Sequence, residues 1–294
     1  MKVPLSVLVP IKNEIRNLAR CIASVNWADE IWVVDSRSQD GSVALAESLG
    51  ARVVQFEFGG IWPKKKNWAL ANLSFKHDWV FIIDADEVLP ASAEAEFRAI
   101  VENFQTPYAG YWINRRFMFM GRWLRHAYYP NWNLRLFLHR EGRYERIVEG
   151  RTQSGDNEVH EHVIVKGPTS RLKCEMDHFA FPSVDVFVEK HNRYSNWEAQ
   201  AALERSTWRG HNLQMGPVSW RRRLKGLVRH LPFRPWLRFV YVYFWQHGFL
   251  DGREGYYFAR LHAVYELLSV IKTHELRREM RVAAEVPQDT NACE

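Results

Sequence analysis

The sequence predicts an α/β fold built on a mostly parallel central sheet flanked by helices. Three observations carry that prediction. Over the first hundred or so residues, apolar runs of strand length alternate with stretches of helical spacing. Those apolar runs are continuous rather than alternating, the pattern of strands buried on both faces. Two of them close on a carboxylate, Asp35 and Asp84, and ligands of such sheets sit beyond the carboxyl ends of the strands.

The elements follow in order. Leu5 to Val9 is a first strand, expected to stop at Pro10, and Leu18, Ile22 and Val25 give the stretch from Ile15 to Val25 its helical spacing. Glu30 to Asp35 is a second strand. The breaker-rich turn Ser36-Arg-Ser-Gln-Asp-Gly41 leads to a helix from Ser42 to Leu49, with Gly50 as its stop. Arg52 to Phe56 reads as a third strand, Lys64 to Leu73 as a helix and Trp79 to Asp84 as a fourth strand. Strands alternating with helices imply right-handed crossovers and parallel pairing. Past residue 105 the chain becomes dense in Trp, Tyr, Arg and His, with short strand-like pieces such as Asn133 to Leu138, and it reads as an extension of the same sheet. Ser183 to Arg205 is a long helix with Ser183 as its N-cap. The expected segments are 1–105, 106–210 and 211–294, with no Gly/Ser linker or low-complexity stretch between them.

At 294 residues, 47% of them hydrophobic, the chain has ample core for this plan, and nothing in its composition suggests disorder or a repeat array. Cys21, Cys174 and Cys293 are too few and too scattered for a disulfide framework or a zinc knuckle, which suits a reducing compartment. The N-terminal apolar run has two prolines, early charges and no small-residue cleavage site, so it reads as a buried strand and not a signal peptide. No apolar stretch approaches the ~20 residues needed to span a bilayer.

Chemistry concentrates at four places. Asp84-Ala85-Asp86-Glu87 crowds three acids at a strand end, where each raises the cost of ionising the next. A divalent cation, Mg²⁺ or Mn²⁺, removes that cost and prefers such oxygen ligands, so Asp84 and Asp86 are the metal candidates. The alternative is a solvated acidic turn capping the helix that follows. Asp35 and Ser36 end the second strand with groups that can meet a nucleobase edge, while Ser38 and Asp40 cap the next helix. Lys64-Lys65-Lys66-Asn67 enters a helix and can bind phosphate through charge and backbone N–H groups, or merely be a solvated face. Val159-His160-Glu161-His162 would put His160 and His162 on one strand face and Glu161 on the other, and Glu161 is the candidate general base. A metal site of His160, His162 and His178 lacks the H-E-x-x-H helix spacing.

Pro10-Ile-Lys-Asn13-Glu14, Glu30 to Gly41, Lys65-Lys66-Asn67 and Asp84-Ala-Asp86-Glu87 occur in the order seen in glycosyltransferase family 2, which this sequence resembles. Asn133-Leu-Arg-Leu-Phe, Val159-His160-Glu161, Asp177-His178-Phe179, Lys190-His-Asn-Arg193-Tyr194 and Gly248-Phe-Leu-Asp-Gly252 resemble one branch of it, the bacterial lipopolysaccharide-core and capsule sugar transferases. Within that branch the likeness is to β-glucosyltransferases acting on inner-core heptose. The resemblance implies a GT-A, Rossmann-like fold, a nucleoside-diphosphate sugar donor (a UDP-sugar), a divalent metal and inversion at the anomeric carbon. It implies that Pro10, Asn13, Glu14, Asp35 and Lys66 line the nucleotide pocket, with Ser36, Asn67 and Asp84 beside them. Asp86 falls at the metal ligand, Glu161 with its neighbour His160 at the catalytic base, and His178, Lys190 and Arg193 on the acceptor side. Many relatives carry a second acid where this chain has Ser36, which bears on base recognition. A nucleotidyltransferase would share the acidic rim but needs a Gly-rich phosphate loop after the first strand, which Pro10 to Glu14 does not supply. A non-catalytic scaffold on the same fold would have no use for Asp84, Asp86 and Glu161.

The net charge of +6 is unevenly spread. From Trp220 to Leu250 seven Arg and Lys side chains accompany an aromatic cluster, and no acid appears before Asp251. This suits the headgroup zone of an anionic bilayer, or else a basic helix packed on the core with its arginine stems. No nucleic-acid-binding module is recognisable. The expectation is a helical, membrane-proximal extension: a peripheral protein on the inner face of the cytoplasmic membrane, meeting a glycolipid or lipopolysaccharide-core acceptor there.

Overall fold

The computed structural model describes residues 1–146, 162–207 and 233–285. They form two compact units, the chain passing from the first to the second at Pro182/Ser183.

Parallel pairing organises the first unit. Strand β1 (Val3–Ile11) lies between β2 (Ala28–Asp35) and β4 (Trp79–Ile82), and β3 (Arg52–Gln55) flanks β2. Helices α1 (Ile15–Ser24), α2 (Ser42–Ser48) and α3 (Lys65–Asn72) make the crossovers, and α4 (Ala93–Val101) follows β4. Alternation along β1 builds two cores. Val3, Leu5, Val7, Val9 and Ile11 join Leu18 and Ile22 of α1 and Phe97 of α4, while Leu8 faces the other way, with Ala69 of α3, Val80 and Ile82. Each fully buried Leu, Ile or Phe contributes about 2 kcal/mol.

The first strand does not stop at Pro10; it runs through to Ile11, with Pro10 in register with Val34. Leu8 turns its carbonyl to β4, accepting from Ile83 N at 3.1 Å, and Pro10 shares that side. Pairing with β4 ends at Leu8, so the missing proline N–H costs no ladder bond.

Beyond β4 the sheet is mixed. Strand β8 (Trp132–Leu138) lies antiparallel between β4 and β6 (Gly110–Phe119), β11 (Thr169–Phe181) runs parallel to β6, and the short β5 (Glu87–Val88) closes the far edge antiparallel to β11. The strand order is β3-β2-β1-β4-β8-β6-β11-β5, with β7 (Arg122–Trp123) paired to β6. The expected extension of one sheet past residue 105 is therefore present, and parallel pairing is confined to its first four strands and to β6–β11. A two-stranded sheet of β9 (Gly142–Tyr144) and β10 (Val163–Val165) completes the unit. The fold class is the one expected: α/β, a central sheet flanked by helices, with a helical C-terminal extension.

The second unit contains α5 (Val184–Thr207), α6 (Arg234–Val240) and α7 (Gly252–Glu285). Ser183 caps α5, its Oγ accepting from Val186 N at 3.3 Å. Phe187 and His191 of α5 stack at 3.7 Å between ring centroids and pack against Phe258 and His262 of α7. Lys272 fastens the two helices, donating to Asn192 O at 2.9 Å and Ser195 Oγ at 2.8 Å. Among the described residues no helix is long and apolar enough to cross a membrane.

Candidate active site

The carboxyl ends of β1, β2 and β4 gather the expected site residues on one rim. Asp35 ends β2 fully buried, and both its oxygens accept from Ser38, at 2.9 Å from the backbone N–H and again from the hydroxyl. Ser38 Oγ in turn accepts from Asn13 N at 2.7 Å, and Asn13 Oδ1 accepts from Gln39 N at 2.9 Å. Asn13 sits at φ 56°, a left-handed turn that asparagine tolerates. Ser42 Oγ and Asp40 take the N–H groups of Glu14 and Ile15 at 2.9 and 3.0 Å, so the loop after β2 caps the helix that follows β1. Pro10, Asn13, Glu14, Asp35 and Ser36 thus lie on two loops laced together, and Ser36 N extends the β1–β2 register by donating to Ile11 O at 3.1 Å.

The basic triplet is not a solvated face. Lys64 and Lys65 are 3% and 2% exposed, and Lys65 Nζ donates to Ile11 O at 2.8 Å, tying α3 to the end of β1. Lys66 points to the acidic turn, its Nζ 2.7 Å from Asp84 Oδ1. Asn67 is buried and spans the backbone of Tyr144, accepting from its N–H at 2.9 Å and donating to its carbonyl at 3.1 Å. That commits the Asn67 amide to holding β9 against α3.

Asp84 is clamped by two cations. Its Oδ2 accepts from Arg135 Nη2 at 2.6 Å, opposite Lys66 on Oδ1. The same Arg135 nitrogen reaches Glu87 Oε1 at 3.0 Å, which Arg115 Nη1 also meets at 3.1 Å, and Glu87 Oε2 accepts from Asp84 N at 2.9 Å. Burial pushes the Asp84 carboxyl up, but Arg135 and Lys66 outweigh it and hold it well below the usual carboxylate range. Burial likewise opposes the charge of Lys66, yet Asp84 and then Tyr144 raise its pKa. Three cations meet two carboxylates here, so the turn that reads as a knot of repelling acids is a locked network with one net positive charge.

Asp86 is held from strand β11. The β5–β11 pairing places it beside His178: Phe179 N donates to Asp86 O at 2.8 Å, and His178 Nε2 lies 3.5 Å from Asp86 Oδ1. The His178 ring packs edge-on against Phe117 at 5.5 Å, and its Nδ1 is buried with no hydrogen-bond partner. A carboxylate oxygen and an imidazole nitrogen converging at a strand end fit a divalent cation such as Mn²⁺ as two of its ligands. The Asp84 oxygens already answer to Lys66 and Arg135.

Other expected residues are distributed differently. His160 and Glu161 lie outside the described residues. Their neighbour His162 accepts from Glu145 N at 2.9 Å at the start of β10. Lys190 and Arg193 stand on α5, in the second unit. Arg115 and Arg135, which complete the network around Asp84 and Glu87, escaped assignment from the sequence. Arg135 is the arginine of Asn133-Leu-Arg-Leu-Phe, so its signal was present without a role.

Comparison with known proteins identifies the family. The glycosyl transferase family 2 model matches residues 6–157, more than half of the chain. An uncharacterized glycosyltransferase of Rickettsia conorii is 32% identical over 200 residues, 67% of this chain and 69% of its own. The lipopolysaccharide core biosynthesis glycosyltransferase LpsC of Rhizobium meliloti is 28% identical over 285 residues, 93% of each chain. Among solved structures, the mannosyltransferase PcManGT of Pyrobaculum calidifontis, in complex with GDP-Man and Mn²⁺, matches 93% of this chain and 87% of its own at 15% identity and a TM-score of 0.49. The chain therefore belongs to glycosyl transferase family 2 and is a glycosyltransferase.

Proposed function

We propose that this glycosyltransferase moves a hexose, glucose by resemblance, from a nucleoside-diphosphate sugar to a lipopolysaccharide-core or similar cell-envelope acceptor, inverting the anomeric centre. The observation that carries the donor half is the pairing of Asp86 with His178 beside the Lys66–Asp84–Arg135 network. The similarity to LpsC supports the acceptor class. Such an acceptor places the enzyme at the inner face of the cytoplasmic membrane, where a soluble donor meets a lipid-linked glycan.

Asp35 and Ser36, with Pro10, Asn13 and Glu14, receive the nucleoside, and the UDP family is the one the resemblance favours. Asp86 and His178 hold the divalent cation, which supplies positive charge to a departing diphosphate. Lys66 and Arg135 keep Asp84 ionised and fixed, so the rim stays rigid and carries an excess positive charge toward the phosphates. Glu161, beside His160, takes the acceptor proton as the acceptor oxygen attacks the anomeric carbon opposite the diphosphate. The resemblance puts His178, Lys190 and Arg193 on the acceptor side, and the 3.5 Å approach to Asp86 favours the metal for His178.

Thermal unfolding with a panel of nucleoside diphosphates and nucleotide sugars, with and without Mn²⁺, tests this reading. The expected result is a metal-dependent rise in melting temperature with one nucleotide family, absent in Asp86→Ala. No shift with any of them, for the folded protein, overturns it.

A further inference from the structure

We propose that the aromatic turn joining α6 to α7 is a docking surface for an anionic lipid bilayer, its rings lying at headgroup level and its arginines against lipid phosphate. This deepens the membrane part of the proposed function, and it rests on side chains far from the donor residues in sequence and in a different unit.

The surface begins with α6, none of whose residues is buried. A π-helical turn (Tyr241–Trp245) and a 3-10 turn (Gly248–Asp251) follow it. Trp245 is 77% exposed and Trp236 63%, and Phe244, Phe249 and Leu250 are exposed beside them. The rings form a connected sheet: Tyr243 lies 5.3 Å from Phe239, 5.1 Å from Phe244, 5.7 Å from Tyr256 and 6.2 Å from Phe249. A soluble surface has no use for so much contiguous aromatic area, which is the mark of an interaction site.

The turn is built to hold this shape. His247 and Gly252 take positive φ, at 57° and 72°, on either side of the 3-10 turn. Gly255 of α7 packs directly beneath it, where a Cβ would come within 2.0 Å of Gly248 O. Val242 and Phe258 anchor the turn from within, both fully buried. The Gly248-Phe-Leu-Asp-Gly252 piece of the sequence is therefore a scaffold that keeps Phe249 and Leu250 outward.

Charge selects the occupant. In sequence the segment from Trp220 to Leu250 carries seven Arg and Lys and no acid; among the described residues it contributes Arg234, which pairs with Glu266, and Arg238. Arg253 and Arg260 are exposed on α7, Arg260 with its guanidinium carbon 5.8 Å from the Phe239 ring. Anionic headgroups supply the opposite charge, and Trp and Tyr favour the interface over the hydrocarbon.

Co-sedimentation of the full chain with vesicles of phosphatidylcholine, alone or mixed with phosphatidylglycerol, tests the proposal. The expected result is binding to the mixed vesicles that falls with salt, weakened roughly tenfold in a Phe244→Ser/Trp245→Ser double variant. Trp236→Ser, a single exposed site on α6, is expected to weaken it in the same direction if the double variant does not fold. The nucleotide-dependent melting shift should persist in these variants, so failure of the surface and failure of the donor site read out separately. Equal binding by wild type and folded variants, or no binding by wild type to mixed vesicles, overturns the proposal. So does a concentration-dependent dimer that the variants abolish.

Discussion

A single nitrogen of Arg135, Nη2, bridges two carboxylates, 2.6 Å from Asp84 and 3.0 Å from Glu87. The arginine is buried, so its loss leaves two acids facing each other with only Lys66 and Arg115 to answer them. Arg135→Met is expected to cost about 3–5 kcal/mol, the range for breaking a buried ion pair from one side. Urea denaturation measures it. A cost below about 1 kcal/mol would show that the network is not what holds the acidic turn.

His178 offers a cleaner separation of chemistry from folding. Its ring packs against Phe117, and phenylalanine can keep that contact while removing both nitrogens. In His178→Phe the melting temperature without ligand is expected to stay near wild type, while the Mn²⁺ concentration needed for the nucleotide-dependent shift rises by about a hundredfold or more. An unchanged Mn²⁺ requirement would return His178 to the acceptor side.

For Glu161 the expected signature is kinetic. A positioned general base contributes about 10²–10⁴ in rate, so Glu161→Gln should lose that much turnover and keep the nucleotide-dependent melting shift. Near-normal turnover in the folded variant removes Glu161 from the mechanism.

Asn67 distinguishes holding the fold from touching the ligand. Asn67→Ala strands the buried N–H and carbonyl of Tyr144, at an expected cost of about 2–3 kcal/mol. The nucleotide-dependent shift should survive on top of the lowered melting temperature. A variant of wild-type stability that no longer responds to nucleotide would make Asn67 a ligand contact instead.

The first four strands and their helices were legible because each carries its own signal: an apolar run, a helical period or a breaker cluster. The position of Asp35 at a strand end followed from β2 alone. What the sequence could not show depends on pairing between distant segments. The two-residue strand β5 has no periodicity to read, yet its register with β11 is what sets Asp86 beside His178. Arg115 and Arg135 reach Glu87 and Asp84 only because β6 and β8 insert where they do, so the acidic turn looked more repulsive than it is. Lys64 and Lys65 misled for the opposite reason: composition marks a lysine triplet as surface, and here helix α3 turns two of the three inward. The segment around Glu161 carries two signals in sequence, its acid–imidazole alternation and its family resemblance, and His160 and Glu161 themselves lie outside the described residues.

The second unit should respond to mild acid through His191. Burial is the main cause that pushes its imidazole down to about 4, and burial likewise holds His262 well below the usual histidine range. Both rings are therefore neutral in the folded protein, while in the unfolded chain they protonate near pH 6.5. Between pH 6.5 and 4 the unfolded state binds more protons, so stability rises with pH across that window and is lost as pH falls through it. For His191 the full effect is about 3 kcal/mol, reached near pH 4. The Asp84 network overlaps only the acid end of this window, because its contribution starts to fall near the unfolded carboxylate pKa of about 4. Its carboxyl is held well below the usual range, so most of its contribution is lost below pH 4. Denaturant unfolding followed from pH 7 to pH 4 should show the decline, with a shallower slope in His191→Asn. Parallel slopes in wild type and variant would mean that His191 does not carry the acid sensitivity.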